Sequence, residues 1–288
     1  MDDFNTRKLH TKHSPSAIIL KILQYLALVV GCILVILPII VILFGSLKTS
    51  EEFANTGVFD LPTTLNWQNF YDAFIGGHVL LGLKNTAIII VLSCLGSIIT
   101  GTMTAFVIQR FSSYFTNTVK ALFLVATLLP NISMQVTVYQ IVKSLGLLET
   151  LAAPIILYIG TDIISIQIFI QFLNQISVSL DESGIVDGAS YPRIYFSIIL
   201  PNLSPAIATV LIIKFVSIYN DFYTPNLYMT ESNLRVVSTA LYDFIGPHGA
   251  KWEIIFAGII IAIIPTLIIF LTLQKYIYSG LVSGAVKE

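Results

Sequence analysis

The sequence predicts an all-α integral membrane protein with six transmembrane helices and both termini on the cytoplasmic side. Three observations carry that prediction. Of the 288 residues, 56% are hydrophobic and only 11% are charged, at a mean hydropathy of +0.86; a soluble domain carries about 25% charged residues. Six apolar segments, near 22–44, 85–108, 120–143, 152–173, 204–222 and 254–275, are each long enough to cross a bilayer, which takes about 20 residues. A polar segment, 174–203, interrupts them between the fourth and fifth.

Each element follows in order. Residues 1–21 form a polar tail carrying Arg7, Lys8, Lys12 and Lys21 with His10 and His13. The first span is too long for a signal-peptide apolar region, and no small-residue cleavage site follows it, so it reads as an uncleaved helix. Residues 48–84 hold Trp67, Phe70, Tyr71 and Phe74, which suit a segment lying along the membrane interface. The third span carries Asn131, Ser133 and Gln135, and the fourth carries Thr161, Asp162 and Gln167. Residues 223–253 mix Pro, Asn, Asp and Tyr with Trp252. The last span leads into a tail at 276–288, so one membrane domain, 22–275, accounts for the chain. Cys32 and Cys94 both fall in apolar runs and read as small buried hydrophobes.

Basic residues set the orientation. With both termini inside, nine are cytoplasmic: Arg7, Lys8, Lys12, Lys21, Arg110, Lys120, Arg193, Lys275 and Lys287. Five lie outside: Lys48, Lys84, Lys143, Arg235 and Lys251. The loop at 174–203 then falls on the cytoplasmic face. The net charge of −1 leaves no basic patch for nucleic acid.

That loop reads as two short helices about a turn. Asp181 and Glu182 open the first, where carboxylates suit the positive end of a helix dipole. Gly188 suits a sharp bend, and Pro192 suits the first turn of a second helix. Ile194, Phe196, Ile198 and Ile199 supply apolar contacts, and Leu200-Pro201 ends the element. The product is a compact knob shaped to enter a socket on a partner.

The stretch from Glu182-Ser183-Gly184 through Gly188 to Ile198-Ile199-Leu200-Pro201 resembles the EAA loop of ABC importer permeases, whose pattern is E-A-A, three residues, G, nine residues, I-x-L-P. The similarity extends to the carbohydrate-uptake branch and its second, maltose-type permease subunit. Lys48-Thr49-Ser50-Glu51-Glu52, Leu65-Asn66-Trp67-Gln68-Asn69-Phe70, Lys84-Asn85-Thr86, Gly146-Leu147-Leu148-Glu149-Thr150, Tyr219-Asn220-Asp221-Phe222 with Pro225, and Gln274-Lys275-Tyr276 with Gly280-Leu281 resemble that branch's motifs in order. The pattern's two alanines are Ser183 and Gly184 here, and the usual Ile-Pro before the loop is Ile176-Ser177. Gly184 costs about 1 kcal/mol of helix propensity against Ala, which predicts a weaker first helix.

The resemblance implies a type I importer permease fold with a cytoplasmic coupling loop, in a bacterial or archaeal inner membrane. It implies ATPase-coupling residues Asp181, Glu182, Ser183, Gly184, Asp187, Gly188, Ala189, Leu200 and Pro201. The implied partners are a second permease, two copies of a cytoplasmic ATPase, a solute-binding protein, membrane lipid, and a sugar or oligosaccharide substrate. ATP and Mg would sit on the ATPase, and no cofactor on this chain. The sequence has no Walker lysine loop, so it supplies no nucleotide site and is not an enzyme by itself.

Ionisable groups inside spans are costly and often mark a pathway. Lys214, Ser217 and Asp221 recur at helical spacing in the fifth span, with Tyr219 and Asn220 beside them. They read either as a substrate pathway or as helix–helix contacts, with Lys214 paired to a carboxylate. Tyr139, Tyr158, Phe222 and Tyr223 are further aromatics that could stack on a sugar ring. The same architecture could import another solute, such as glycerol phosphate. A secondary transporter would need half-repeats or a coupling-ion site, and neither is present in the sequence.

Overall fold

A computed structural model describes residues 15–128, 131–160, 162–246 and 249–285, with backbone alone at 15–17, 131–132, 243, 246, 249 and 273–285. Arg7, Lys8, His10, Lys12, His13, Thr161, His248 and Lys287 lie outside the described residues.

Apolar runs become helices because lipid offers backbone N–H and C=O groups no partners. The first span is α1, Pro15–Ser46. Two short helices follow, α2 (Ser50–Asn55) and α3 (Gln68–Gly76), and then the long α4 (Val79–Arg110). The third apolar segment is divided between α5 (Tyr114–Thr127) and α6 (Asn131–Ser144), and the fourth between α7 (Ala152–Gly160) and α8 (Ile163–Leu173). The polar segment contains α9 (Ser179–Val186), α10 (Tyr191–Ile194) and α11 (Leu200–Asn202), and leads into α12 (Ser204–Asn220). Past α13 (Tyr223–Tyr228) and α14 (Val237–Ala240), the chain ends in α15, Trp252–Ala285. The one sheet among the described residues is a two-residue antiparallel pairing of Ile245–Gly246 with Gly249–Ala250.

Among the described residues, three helices (α1, α4 and α15) are long and apolar enough to cross a membrane alone. Two bent pairs raise that to five: α7 with α8, bent by 41°, and Tyr191–Asn202 with α12, bent by 69°. Within the segment at 120–143 the described helices are α5, which ends at Thr127, and α6, which begins at Asn131. The outer boundaries also shift: α1 begins before residue 22, and α15 continues past residue 275 to Ala285.

Helix α4 is the central post, packed against α7, α8 and α12. Its inward face is small and polar, with Ser93, Ser97, Gly101 and Thr102 all buried, which lets membrane helices approach closely. Helix α1 leans on α15, and its side chains from Ile18 to Ile40 are all exposed. Cys32 is therefore on an exposed surface rather than buried, while Cys94 is buried in α4; both thiols are free.

Polar side chains knit the connecting segments where regular backbone pairing stops. Asn69 Nδ2 donates to the carbonyls of Ser46 (2.9 Å) and Lys48 (2.7 Å), fixing α3 beneath the end of α1. Lys48 is itself buried, with Nζ donating to Thr56 Oγ1 and the Gly57 carbonyl. Asn85 Nδ2 donates to the carbonyls of Asn233 and Arg235, and Thr86 Oγ1 accepts from the Val237 N–H. The exposed Trp67 and Tyr71 flank α3 on its outer side.

The turn at 146–150 is the most densely bonded of these. Glu149 takes up a left-handed backbone (φ 56°). Its carboxylate accepts from the Thr230 N–H (2.8 Å), the Thr230 hydroxyl (2.6 Å) and the Glu231 N–H (3.1 Å). Burial alone would push this carboxyl up, but those hydrogen bonds and the charge of Arg235 outweigh it and hold the group below its ordinary value.

A lowered folded-state value means that Glu149 stabilises the fold above the unfolded carboxyl's titration, about pH 4, and loses that contribution as pH falls through the folded value. In detergent, thermal unfolding of the purified protein is expected to shift to lower temperature as pH drops below about 4. Glu149→Gln should flatten that dependence, and an unchanged acid slope would exclude this clamp as its source.

Candidate functional site

The polar segment folds as a helical hairpin held against the end of α4. Helix α9 has no side-chain N-cap, and Asp181 and Glu182 occupy its first turn. It terminates in a Schellman arrangement: the Gly188 N–H bonds the Ile185 carbonyl (2.9 Å) and the Ala189 N–H bonds the Gly184 carbonyl (2.9 Å). That ending requires a left-handed residue after the last turn, and Gly188 takes it at φ +77°. Ser190 then stands at the start of α10 with Pro192 inside its first turn.

The second half of the hairpin differs from the expected end at Leu200-Pro201. The helix widens into a π-turn over Tyr195–Ile199, and the Leu200 N–H reaches back to the Tyr195 carbonyl. Pro201 explains this: it has no N–H to offer the carbonyl four residues earlier. The helix continues through Asn202, whose Nδ2 donates to the Ile198 carbonyl (2.7 Å), and the break comes at Leu203.

The hairpin is fixed to the membrane helices by charge and by packing. Arg110, at the C-terminus of α4 where the helix dipole favours a cation, brings Nε to 2.5 Å from Asp181 Oδ2. The Nε–H is not aimed along that contact, so it is a close charge pairing rather than an aligned hydrogen bond. The guanidinium also donates from Nη2 to the Ile176 carbonyl (3.0 Å), and Gln109 Nε2 donates to Asn174 Oδ1. Behind this lock, Ile194, Tyr195, Ile199 and Leu203 are buried in one cluster with Phe106 of α4 and Phe169 and Leu173 of α8. Thr102 and Tyr195 share a buried hydroxyl–hydroxyl bond of 2.7 Å.

The residues expected to act together divide accordingly. Asp181 and Gly184 are buried and hold the hairpin together. A Cβ on Gly184 would stand 3.1 Å from Ile198 Cδ1 and 3.2 Å from Ile194 Cγ1. An alanine methyl here would require the Ile194 and Ile198 side chains to give by a few tenths of an ångström. Glu182, Ser183, Asp187, Gly188 and Pro201 are exposed, and Ala189 and Leu200 are half-buried. Around the tip, Leu180 (42%), Ile185 (49%) and Val186 (86%) are also exposed.

The polar set in α12 does not present one common face. Lys214 and Tyr219 are buried, Asp221 is half-buried, and Ser217 and Asn220 are exposed. Lys214 Nζ donates to Asp162 Oδ2 and to the Tyr158 carbonyl, both at 2.7 Å. The Tyr158 hydroxyl donates to Asp221 Oδ2 (2.8 Å), and the Tyr219 hydroxyl donates to the Ala262 carbonyl (2.7 Å). Lys214 and Asp221 thus both meet α7 through Tyr158, as their helical spacing expects, while Ser217 and Asn220 stand off that face. Among the other aromatics, Tyr139 stacks at a tilt on Tyr228, and the exposed Tyr223 donates to Gln135 Oε1 (2.5 Å). Sequence reasoning gave Arg110 no part in the loop and Tyr158 none in bracing α12. A basic residue closing a long helix was the available signal for Arg110; Tyr158 had none, since its partners are remote in sequence.

Three comparisons bear on this arrangement. The family model described as "binding-protein-dependent transport system inner membrane component" matches residues 93–282. The chain is 31% identical over 273 residues to the probable starch degradation products transport system permease protein AmyC of Thermoanaerobacterium thermosulfurigenes, covering 92% of this chain and 97% of that protein. It is 29% identical over 270 residues to the melibiose/raffinose/stachyose import permease protein MelC of Bacillus subtilis (strain 168), covering 93% and 97%. Its fold matches a chain in the crystal structure of a bacterial ABC transporter that imports the acidic polysaccharide alginate, with TM-score 0.79, 19% identity, and coverage of 91% of this chain and 98% of that chain.

Gly188→Ala is expected to weaken the hairpin by about 1 kcal/mol, the steric cost of a left-handed non-glycine residue. Space is not the obstacle, since nothing lies within 4 Å of the added Cβ. Arg110→Met should cost on the order of 3 kcal/mol by leaving Asp181 buried without its cation. Amide exchange across 179–190 measures both. Equal protection in either variant would remove the corresponding contact from the account.

Proposed function

The chain belongs to the family of binding-protein-dependent transport system inner membrane components, and from that premise we propose that it is the permease through which a sugar or oligosaccharide is imported. It is a membrane permease subunit of an ABC importer and not an enzyme; ATP hydrolysis belongs to separate partner chains. We infer that it crosses a bacterial or archaeal cell membrane six times with both termini in the cytoplasm, α5 and α6 together supplying the crossing that neither is long enough to make. The excess of basic residues on that side supports this orientation.

The complex inferred is this chain with a second permease, two copies of a cytoplasmic ATPase carrying ATP and Mg, and a solute-binding protein at the outer face. The named substrates of the two similar permeases, starch degradation products and melibiose, raffinose or stachyose, support a sugar as cargo.

The observation that carries the coupling is the two-faced hairpin. Its inner face is sealed by Asp181, Gly184 and Ile194, while its tip exposes Leu180, Ile185 and an 86% exposed Val186 beside Glu182 and Asp187. An apolar knob at an aqueous face is stable in position and lacks only a socket. The ATPase supplies that socket, so closure of the ATPase dimer moves the hairpin and, through the buried cluster behind it, the membrane helices. Along α12, the exposed Ser217 and Asn220 turn toward the substrate path, while Lys214, Tyr219 and Asp221 hold its walls.

Purification of the tagged chain in mild detergent is expected to bring down a second permease and an ABC ATPase. Val186→Asp should leave the chain in the membrane and abolish ATPase recovery, at a cost on the order of 2 kcal/mol of docking energy. Normal uptake by that variant would overturn the docking assignment.

A further inference from the structure

The fourth span is broken between α7 and α8, and a broken helix in lipid leaves backbone groups without partners on both sides of the gap. Among these are the last carbonyls of α7 and the first N–H groups of α8. Two side chains meet that need. The Asp162 carboxylate caps α8, accepting the Ser165 N–H on Oδ1 at 3.3 Å. Lys214, reaching across from α12, donates Nζ to the Tyr158 carbonyl in the last turn of α7 and to Asp162 Oδ2, both at 2.7 Å. The cation lies at the negative end of α7 and the carboxylate at the positive end of α8, the arrangement both dipoles favour. The pair is shielded, with 9% and 12% of the two side chains exposed.

Helix α12 is gripped a second time, by the other end of the same tyrosine: the Tyr158 hydroxyl donates to Asp221 at the C-terminus of α12. At its other end α12 departs from the hairpin through the 69° bend at Leu203. It is thus a bar attached to the hairpin at one end and riveted to both halves of the broken span at the other. We propose that Lys214 and Asp162 are positioning residues for transport, transmitting displacement of the coupling hairpin along α12 to the break between α7 and α8. This rests on the importer reading above. It adds that a charged joint inside the membrane, rather than apolar packing alone, makes α12 and the broken span move together. A charged pair suits this role better than apolar contact because its geometry is directional: Lys214 cannot slide along α7 without leaving a buried carboxylate unpaired.

The test uses the whole complex, with second permease, ATPase and loaded binding protein in vesicles. It compares wild type with Lys214→Met, Asp162→Asn and the neutral double variant. Two quantities are read: solute imported per ATP hydrolysed, and the stimulation of hydrolysis by loaded binding protein. Each single variant leaves a lone buried charge or an unfilled carbonyl, and is expected to lower the yield of complex as well as both readouts. The double variant removes the lone charge and should recover the yield, while import per ATP stays down by about tenfold, within the range of measured site-to-site couplings. Wild-type import per ATP in the double variant would overturn the proposal and reduce the pair to an assembly contact. A double variant that fails to assemble would overturn it as well, since charge would then be needed for folding. A wild-type complex without ATP-driven import would instead remove the importer reading itself, so the two failures are distinguishable.

Discussion

The broken helices of this chain answer to one constraint: inside a bilayer, a backbone or side-chain polar group that loses its helical partner must find another within the protein. Where α1 runs apolar its side chains from Ile18 to Ile40 are all exposed, whereas α15 buries Ile254, Ile255 and Ala257 against its neighbours. At two of the described breaks a polar side chain meets the need. Asp162 and Lys214 fill the gap between α7 and α8, and Asn202 takes a carbonyl of the π-turn that Pro201 provokes. The breaks are thereby stable joints rather than weak points, and joints are what a moving membrane protein requires.

The hairpin shows the same economy at the aqueous face. Its fixed side and its free side are built from neighbouring residues. Asp181 faces Arg110 while Glu182 faces water; Gly184 lies against Ile194 and Ile198 while Ile185 and Val186 stand exposed. The buried cluster that joins Ile194, Tyr195 and Ile199 to α4 and α8 means that the hairpin cannot be displaced without displacing those helices, because close-packed interiors transmit strain rather than absorb it. The route inward thus has two parallel branches, apolar packing against α4 and α8 and the continuous bar of α12.

Much of this was legible in the chain. The bend at Gly188, the first-turn position of Pro192 and the two-helix form of the polar segment all follow from local chemistry, and the structure agrees with each; of the six expected spans it has three single long apolar helices among the described residues, or five with the bent pairs. The reading failed where local rules meet distant ones. Helical spacing grouped Lys214 with Ser217 and Asp221; Lys214 pairs with the carboxylate of Asp162 and shares Tyr158 with Asp221, as the helix–helix alternative expects, but Ser217 is exposed and takes no part. The loop's resemblance assigns Asp181 to coupling; the structure shows it buried against a cation that comes from another helix. The sequence reads Gly184 by helix propensity alone; the structure adds that Ile194 and Ile198 lie against it.

The sequence by itself determined the class of protein, the rough position of the apolar segments, and the family-like loop between the fourth and fifth of them. These depend on hydrophobicity, chain length and residue spacing, which are properties of consecutive residues. Only the tertiary structure decided which polar residues are engaged internally, that α4 is the central post, and that α7 with α8 and Tyr191–Asn202 with α12 form bent pairs. Those outcomes depend on pairings such as Arg110 with Asp181 and Lys214 with Tyr158 and Asp162. The energy of such pairs comes from charge attraction and hydrogen bonding in a poorly solvated interior, set against the cost of removing water from both partners, and nothing in the local sequence of either partner records where the other will be.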